Sequence, residues 1–560
     1  MNIEDIISSE PIPKHAEFLN SLEFRQVLWI KFKKLHSLVM KDGVIDKIEF
    51  ELNDLESIKG YITDKKNLVF VQYIIGTKFI ELGLKNDKEE YLVKGIAELK
   101  RINEDLLLTF DLKSDYYRLY SRGILIHFNN ELEKNNDYRY SFENIEPLLQ
   151  AKYYLFKLFS FLMEKNIKLK IMVEARIISD LISVLLFLSR WNEPFYILDK
   201  RTVIAEYSPG FLNYLKAHTL NEIAWNTCCT IYPAMTFEIK KFIKTGMSIQ
   251  EDNDNWKKHL VQINKEVDKV IEDNKFNLEE FESRHNEAKL NVDDHTKYRK
   301  WVLKNHIALC EHSIYCPCEL SKTDDLEIRS CHKHTEISWI NEFETILDKL
   351  KIDFNLSRYF LFLSENEHSS EYVRDDELRT FSNDKYFIND DTSDYLLQAF
   401  KSAYSILDKI GRAIYLALGI EGSKIYFHNC WKPIKQKKSH SQNRYLYSLY
   451  TIACDLSDTS KYSAFLEYKK WRNSIEHEFF FLVEDSADLE NIKNKHRIIS
   501  EVVKISEFRE KTHYMLQLCQ SAIFSFVFFI RHESKNKEDI QDRNCMTNSI
   551  PMDERIVTQR

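Results

Sequence analysis

Helix-breaking residues are scarce throughout this chain. Its 560 residues include only 11 glycines and 9 prolines, whereas average usage would supply roughly three times as many. Because glycine and proline interrupt helices and form turns, their scarcity predicts long helices. The length exceeds what one hydrophobic core normally serves, so several domains are expected. The predicted fold class is therefore mostly α.

The composition also narrows the classes of function. A net charge of −8 and a pI near 6.2 do not fit a protein whose whole surface binds nucleic acid, although a local basic patch could still attract phosphate. The opening sequence MNIEDIISSEPIPK lacks a secretion-signal pattern, and the most apolar segment, 514–530, is interrupted by Gln517 and Gln520. We therefore expect a cytoplasmic protein with no membrane partner, and a helix buried in a bundle at 514–530.

The N-terminal half is a series of segments with helical periodicity. From about 62 to 220, each segment is too short to bury its apolar face alone, a problem that stacked helical hairpins solve. The stretch from Ala175 to Pro209 has two apolar arms around the polar RWNE and resembles a tetratricopeptide-type repeat. The resemblance implies a tetratricopeptide-like helical-repeat region, and a plain helical bundle is the alternative.

Changes in composition divide the chain into five predicted parts. They are an N-terminal helical segment (1–61), the tetratricopeptide-like region (62–248), a charged helical connector with a Cys/His-rich junction (249–390), a C-terminal helical domain (391–535) and a flexible tail (536–560). Within the connector, the sequence SRYFLFLSE predicts a short strand pair.

Cysteine and histidine residues are concentrated in the junction. They are Cys310, His312, Cys316, Cys318, Cys331, His332 and His334. Both residue types bind zinc, but Cys-x5-Cys-x-Cys is not the Cys-x2-Cys pair that normally helps to close a tetrahedral zinc site. We therefore predict buried, reduced thiols with no metal and no cofactor, and a zinc cluster is the alternative.

The C-terminal domain has the clearest helical pattern. Apolar residues recur at three- and four-residue steps from Leu396 to Leu418, after the helix-starting sequence NDDTSD. Further apolar stripes at about 444–456, 461–483 and 500–532 add three helices. Four amphipathic helices are enough to close a bundle.

Arginine precedes histidine by five positions three times in the chain, where chance predicts roughly one such pair. The pairs are Arg122 with His127, Arg329 with His334, and Arg472 with His477. The last pair lies in RNSIEHEFF, on the third predicted helix of the bundle, with Asn473 directly after the arginine. On a helix Asn473 and His477 share a face, which makes this pair the strongest candidate for a site.

The segment RNSIEHEFF resembles the Arg-Asn-x3-His signature of the HEPN superfamily. With YRKWVLKNHIALC, AFKSAYSILDKIGRAI and SLYTIACDL, it resembles in particular large bacterial HEPN proteins with a tetratricopeptide-like N-terminal half, over most of 170–535. The resemblance implies a four-helix HEPN bundle and a homodimer whose motif helices face each other. It also implies a metal-independent ribonuclease, used as a toxin or antiphage effector. Phe479 stands where many toxin-type members carry tyrosine, so control by a nucleotidylating antitoxin is in doubt.

The motif residues suit the cleavage of RNA by its own 2′-hydroxyl. That reaction needs a base, an acid and positive charge at the phosphate; imidazole serves either proton role, and guanidinium binds phosphate. We therefore assign His477 as acid or base, Arg472 as the phosphate ligand and Asn473 as a positioning group. One such histidine per chain favours a symmetric dimer. The alternatives are an ion pair of Arg472 with Glu476, a solvated Asn473 and an exposed His477.

Residues 424–444 form a basic segment in an otherwise acidic chain. The sequence KIYFHNCWKPIKQKKSHSQNR has no acidic residue, and Tyr426, Phe427 and Trp431 are placed as in surfaces that stack on bases. A solvated loop is the alternative. The predicted RNA-binding residues are Lys432, Lys435, Lys437, Lys438 and Arg444.

The sequence thus predicts a homodimeric RNA endonuclease whose N-terminal helices sense a trigger or bind a protein partner. The competing hypothesis is a non-catalytic helical scaffold that dimerises through its C-terminal bundle. A Gly-x4-Gly-Lys phosphate loop, a Gly-x-Ser-x-Gly elbow and a paired zinc-protease histidine are all absent from the sequence, so nucleotide hydrolysis and metalloproteolysis are not favoured.

Overall fold

A computed structural model shows that most of the residues it describes are helical. The residues it describes are 16–39, 45–107, 110–135, 142, 144–165, 171–200, 208–227, 232–249, 256–290, 295–316, 318, 321–328, 338–366, 387–388, 390–422, 425–437, 443–457, 460–495 and 499–541. The chain divides into two compact units, Met1–Val184 and Leu185–Arg560.

The first unit is helical throughout its described residues. Its helices are α1 (Ala16–Leu19), α2 (Leu22–Val39), α3 (Ile45–Ile58), α4 (Lys65–Asn86), α5 (Glu89–Lys100), α6 (Phe110–Lys134), α7 (Ile145–Lys165) and most of α8 (Ile171–Phe187).

The second unit adds a small pair of strands to its helices. Its elements are α9 (Glu193–Lys200), α10 (Pro209–Asn226), α11 (Tyr232–Ser248), α12 (Trp256–Asn274), α13 (Leu278–Leu290), α14 (Lys297–Lys304), α15 (Ser338–Glu365), α16 (Asp391–Leu418), α17 (Trp431–Lys437), α18 (Arg444–Leu456), α19 (Leu466–His477), β1 (Phe480–Val483), α20 (Leu489–Lys495), β2 (Glu501–Lys504) and α21 (Ile505–Gln541). The predicted mostly α class, with a helical N-terminal region, is confirmed.

In the first unit, α4 and α5 form a closely packed helical hairpin. Gly76 lies against Leu99, whereas Gly83 lies against Leu92, so the two helices run antiparallel. A β-carbon added to Gly95 would be only 2.7 Å from the carbonyl oxygen of Gly76. Glycine at both positions therefore allows the two backbones to touch.

The charged segment at 249–290, expected to be a solvated connector, has a buried apolar face. Leu260, Ile263 and Val267 of α12 are buried, and α12 packs against α10 and α11. These residues recur at three- and four-residue steps, so the charges are confined to the other face of the helix. The helical packing of the second unit continues through this segment.

The C-terminal bundle contains the four predicted helices and a fifth. Helices α16, α18, α19 and α21 correspond to the four apolar patterns, and α15 packs along α16 and α21. The Ser357 hydroxyl of α15 donates to the carbonyl of Ala399 in α16 over 2.6 Å. The strand pair predicted from SRYFLFLSE is wrong, because these residues form the last turns of α15, whose buried residues Phe354, Arg358 and Leu361 follow one another at steps of four and three.

An aromatic cluster fixes α19 on the bundle. The ring of Phe400 in α16 lies 5.5 Å from that of Tyr468 in α19 and 5.1 Å from that of Phe508 in α21. The Tyr468 hydroxyl also donates to the carbonyl of Lys511 over 2.9 Å. The helix that carries the Arg-Asn-x3-His motif is therefore held by two neighbouring helices.

Helix α19 ends at His477, so the helix predicted over 461–483 is too long at both ends. Glu478 is extended, with φ −136°, and β1 then pairs in parallel with β2, in the register of Phe480 with Glu501. The residues FFLV are aromatic and branched, and they favour strand pairing over continued helix. As a result, His477 lies at the end of a helix and next to a strand.

Within the part of the chain that the structure describes, α4 (Lys65–Asn86) and the stretch Ile505–Ser534 of α21 are long and apolar enough to cross a membrane by length and composition alone. Most residues of both are buried inside the protein, as in core helices of water-soluble folds. The prediction that 514–530 is a buried helix of the bundle is confirmed.

Candidate functional site

The Arg-Asn-x3-His motif lies beside the buried face of α19. That face consists of Tyr468, Trp471 and Ser474. Arg472 is partly buried at its edge, with 24% of the side chain exposed, whereas Asn473 and His477 are exposed. Phe479, which stands at the tyrosine position of toxin-type members, is 58% exposed because the helix has already ended.

The Arg472 guanidinium lies between two carboxylates. Its Nε is 3.3 Å from Oε2 of Glu476, and one Nη is 3.9 Å from Oδ2 of Asp408. The other Nη donates to Oδ1 of Asn473 over 3.0 Å, and the group lies 5.8 Å from the ring centre of Tyr404. The surrounding groups therefore hold this cation in a defined orientation at the edge of the bundle.

His477 is the most exposed charged or titratable side chain of the motif, at 71%. Its Nε2 is 3.7 Å from Oε2 of Glu476, the same oxygen that faces Arg472. Asn473, predicted to be a positioning group, accepts a hydrogen bond from Arg472. The motif thus brings an accessible imidazole and a partly exposed guanidinium to one carboxylate.

Asp408 links the motif to the basic segment. Its carboxylate accepts the backbone N–H of Phe427 over 2.9 Å and faces Arg472. Burial raises the pKa of Asp408, although that N–H and the charges of Arg472, His428 and Arg412 act in the opposite direction. Sequence reasoning missed Asp408 and Tyr404, since both belong to α16, more than sixty positions before the motif.

Two aromatic residues of the basic segment cannot stack on bases. Phe427 and Trp431 are 1% and 4% exposed, so their prediction as a stacking surface is wrong. The backbone of Phe427 approaches Gly411 of α16 so closely that an added β-carbon would lie 3.3 Å away. Tyr426, at 41% exposed, remains accessible.

Two of the predicted RNA-binding cations make structural contacts. The Nζ of Lys435 donates to the hydroxyl of Tyr450 over 2.7 Å and lies 4.0 Å from that ring's centre. Arg444 is partly buried and donates to the carbonyl of Asn226 over 3.3 Å. Their prediction as RNA ligands is therefore not supported by these contacts.

The other predicted cations are differently placed. Lys432 is exposed. Lys437 is also exposed, and its Nζ donates to the carbonyl of Gly419 at the end of α16 over 3.1 Å. Lys438 lies outside the described residues. Lys432 and Lys437 are therefore the described cations best placed to attract phosphate.

The other arginine–histidine pairs differ from the motif. Arg122 donates to Asp180 over 2.8 Å, while Nδ1 of His127 lies 3.0 Å from Glu89, so the two side chains have separate carboxylate partners. Arg329 and His334 lie outside the described residues. Of the two described pairs, only Arg472 and His477 meet at a common carboxylate.

Part of the Cys/His-rich junction converges in space. His312, Cys316 and Cys318 are buried, and their ligand atoms all lie within 4.8 Å of one another. Cys310 is not in this group; burial and a hydrogen bond with Asp325 raise the pKa of its thiol well above the ordinary value. Cys331, His332 and His334 lie outside the described residues.

A helical bundle with an Arg-Asn-x3-His motif at its edge resembles a HEPN domain, and comparison with family models gives the same assignment. The C-terminal region of the chain belongs to the HEPN superfamily. The matching model is described as LA2681-like HEPN and spans residues 334–533, which include α15 as well as the four predicted helices. Searches of curated proteins and of solved structures found no match.

Proposed function

We propose that the protein is a metal-independent RNA endonuclease that acts in the cytoplasm as a homodimer. The observation that carries this proposal is the presence, in a HEPN domain, of Arg472 and the exposed His477 beside one carboxylate. The two residues offer a phosphate ligand and a proton-transfer group at an accessible edge of the bundle.

In the proposed reaction, the ribose 2′-oxygen attacks the adjacent phosphorus. His477 of one subunit accepts the proton of the 2′-hydroxyl, and the partner's His477 donates a proton to the departing 5′-oxygen. The bond between phosphorus and the 5′-oxygen breaks, leaving a 2′,3′-cyclic phosphate and a 5′-hydroxyl. Two imidazoles supply both proton transfers, so this route needs no metal ion.

Arg472 would bind the scissile phosphate and stabilise the charge that develops on it. Its guanidinium has five N–H donors, so it can keep the hydrogen bond to Asn473 while it exchanges Glu476 for a phosphate oxygen. Asn473 is therefore proposed as a positioning residue for the guanidinium.

The RNA strand would extend from the motif toward the basic segment. Asp408 connects the two places, because it contacts both Arg472 and the backbone of Phe427. Lys432 and Lys437 would contribute charge, and the accessible ring of Tyr426 would contribute a stacking surface.

The physiological role proposed for this activity is that of a toxin or antiphage effector. The N-terminal helical unit would then sense the trigger or bind a regulatory protein. The compactness of Met1–Val184 as a separate unit supports a separate role for the N-terminal helices. The effector role is supported by the family resemblance of the C-terminal domain.

The decisive experiment compares purified wild type with Arg472→Ala and His477→Ala on total RNA in EDTA. Wild type should release fragments that end in cyclic phosphates, and both variants should lose at least about a hundredfold in rate. His127→Ala is the matched control, since it removes the histidine of another arginine–histidine pair. Circular dichroism in the same buffer checks that each protein remains folded. Intact RNA with folded wild type, or undiminished cleavage by His477→Ala, would refute the proposal.

The second candidate function is a non-catalytic scaffold that dimerises through the HEPN bundle. It is favoured by the ion pair of Arg472 with Glu476 and its hydrogen bond to Asn473, which together describe an ordinary surface network. In that case, light scattering would show a dimer for wild type and both motif variants, while none of them cleaved RNA.

A further inference from the structure

We propose that His312, Cys316 and Cys318 form a zinc site that closes the loop carrying all three residues, next to the HEPN bundle. The site is separate from the Arg-Asn-x3-His motif and does not depend on the proposed nuclease activity. All three side chains belong to buried residues, each no more than 3% exposed.

The ligand atoms are already close to tetrahedral spacing. Nε2 of His312 lies 3.0 Å from Sγ of Cys318, and the three ligand atoms lie within 4.8 Å of one another. With Zn–S near 2.3 Å and Zn–N near 2.0 Å, ligand atoms of a tetrahedral site lie roughly 3.5 to 3.8 Å apart. Shifts of about an ångström would therefore bring the three ligand atoms to bonding distance of one zinc ion, and a water molecule would take the fourth position of the tetrahedron. The short helix His312–Ile314 brings these residues together despite the unusual spacing.

The second nitrogen of His312 is held in the way that zinc ligands require. The Tyr315 hydroxyl lies 2.9 Å from Nδ1 of His312. Histidine ligands of zinc usually donate this second N–H to an oxygen, which fixes the ring and leaves the other nitrogen to bind metal. Tyr315 would accept that hydrogen bond, while Nε2 faces Cys318.

The identity of the ligands favours zinc over other common cations. Thiolate and imidazole suit zinc, whereas magnesium and calcium take oxygen ligands. Two thiolates balance the charge of one zinc ion, which lowers the cost of placing a cation among buried residues. Burial also argues against a nucleophilic Cys–His pair, because a substrate could not reach Cys318 at 1% exposure.

The location of the loop gives the site a structural role. Nε2 of Gln520 in α21 donates to the carbonyl of Ala308 over 2.7 Å, and Arg531 of α21 forms a buried ion pair with Glu311. His312 follows Glu311 directly, so a zinc ion bound by His312, Cys316 and Cys318 would hold the adjoining part of the loop in one conformation. We therefore expect metal binding to stabilise the packing of the loop on α21.

The test measures zinc in untagged, full-length protein after equilibration with zinc and gel filtration. Wild type should retain about one zinc per chain, as a structural thiolate–imidazole site does. The double variant Cys316→Ser/Cys318→Ser should retain less than about a tenth of that amount, while the control Cys430→Ser, another buried cysteine, should retain all of it. Cobalt substitution should give thiolate charge-transfer absorption in wild type and in the control. A chelator should lower the melting temperature of wild type but not of the double variant.

A second variant keeps the proposal testable if the double variant fails to fold. His312→Cys replaces one zinc ligand by another and should retain zinc, whereas His312→Phe should lose it. Wild type with no bound zinc or cobalt and no response to chelator would overturn the proposal. So would full zinc retention in the folded double variant.

Discussion

Oε2 of Glu476 lies 3.3 Å from Nε of Arg472 and 3.7 Å from Nε2 of His477, so one carboxylate oxygen faces both the guanidinium and the imidazole of the motif. A phosphate bound by Arg472 would have to displace this carboxylate. Glu476→Gln keeps the size of the side chain and removes its charge. Because a partly exposed ion pair is worth about 0.2 to 1 kcal/mol, we expect RNA to bind about 1.5-fold to fivefold more tightly. Fluorescence anisotropy with a non-cleavable 2′-deoxy oligonucleotide measures this affinity.

Glu467→Gln is the control for that prediction. Glu467 also lies on α19, but its carboxylate pairs with Lys511 at 3.0 Å, and we expect no change in RNA affinity. Equal affinities for wild type and Glu476→Gln would argue that Arg472 does not contact phosphate.

Lys432→Ala should weaken RNA binding through charge alone. Lys432 is exposed in the basic segment, and each phosphate contact to single-stranded nucleic acid contributes about 0.7 to the salt dependence of binding. We expect the slope of log affinity against log salt concentration to fall by about that amount. Lys461→Ala removes an exposed lysine outside the segment and should leave the slope unchanged. An unchanged slope for Lys432→Ala would remove this residue from the proposed RNA surface.

Local sequence signals predicted the helices of the HEPN bundle well. The sequence NDDTSD indicated a helix start, and Asp390 does cap α16, in a reciprocal capping box with Ser393. The residues of the predicted apolar stripe are buried, namely Leu396, Phe400, Ala403, Leu407, Ile410, Ile414 and Leu418. These features depend on contacts between residues a few positions apart, which a sequence displays directly.

Long-range contacts account for the wrong predictions. The end of α19 depends on pairing between β1 and β2, in which Phe480 aligns with Glu501. Phe427 is buried where its backbone approaches Gly411 of α16, and Trp431 is buried with its ring 5.4 Å from that of Tyr450 in α18. These partners lie on other elements of the fold, so composition and periodicity could not identify them.

The buried ion pair between Arg190 and Asp455 is expected to be essential for stability. Their side chains are 1% and 0% exposed. Asp455→Asn would leave the buried guanidinium with Glu193 as an acidic partner, and removing one member of a buried pair costs about 3 to 5 kcal/mol. Urea unfolding should show this loss. Asp348→Asn, which breaks an exposed pair with Lys351, should cost less than about 1 kcal/mol. Similar losses in the two variants would contradict the structure.

Gly95→Ala tests the close approach of α4 and α5. The new β-carbon would lie 2.7 Å from the backbone oxygen of Gly76 and 2.9 Å from the backbone nitrogen of Ile80, so the helices must separate. Overpacking of this kind costs about 1 to 3 kcal/mol, visible as a lower melting temperature. Gly60→Ala is the control, because a β-carbon there meets no atom within 4 Å. Equal melting temperatures would show that the helices do not touch at this point.

Asp324 should make the protein sensitive to acid. Burial alone would raise the pKa of its carboxyl, but Arg358, Arg299 and the N–H of Leu309 outweigh burial and lower that pKa to about 2. In the unfolded chain the pKa is near 3.9, so the native state favours the charged form. This carboxylate therefore contributes about 2.5 kcal/mol of stability above about pH 4, and the contribution is lost as the pH falls from about 4 to 2. In Asp324→Asn, the urea midpoint of unfolding should fall less steeply between about pH 4 and pH 2 than in wild type. At pH 7 the variant should be about 3 to 5 kcal/mol less stable than wild type, because the two buried arginines lose their shared carboxylate. Parallel pH profiles for the two proteins would mean that Asp324 does not titrate with folding, contrary to its contacts with Arg299 and Arg358.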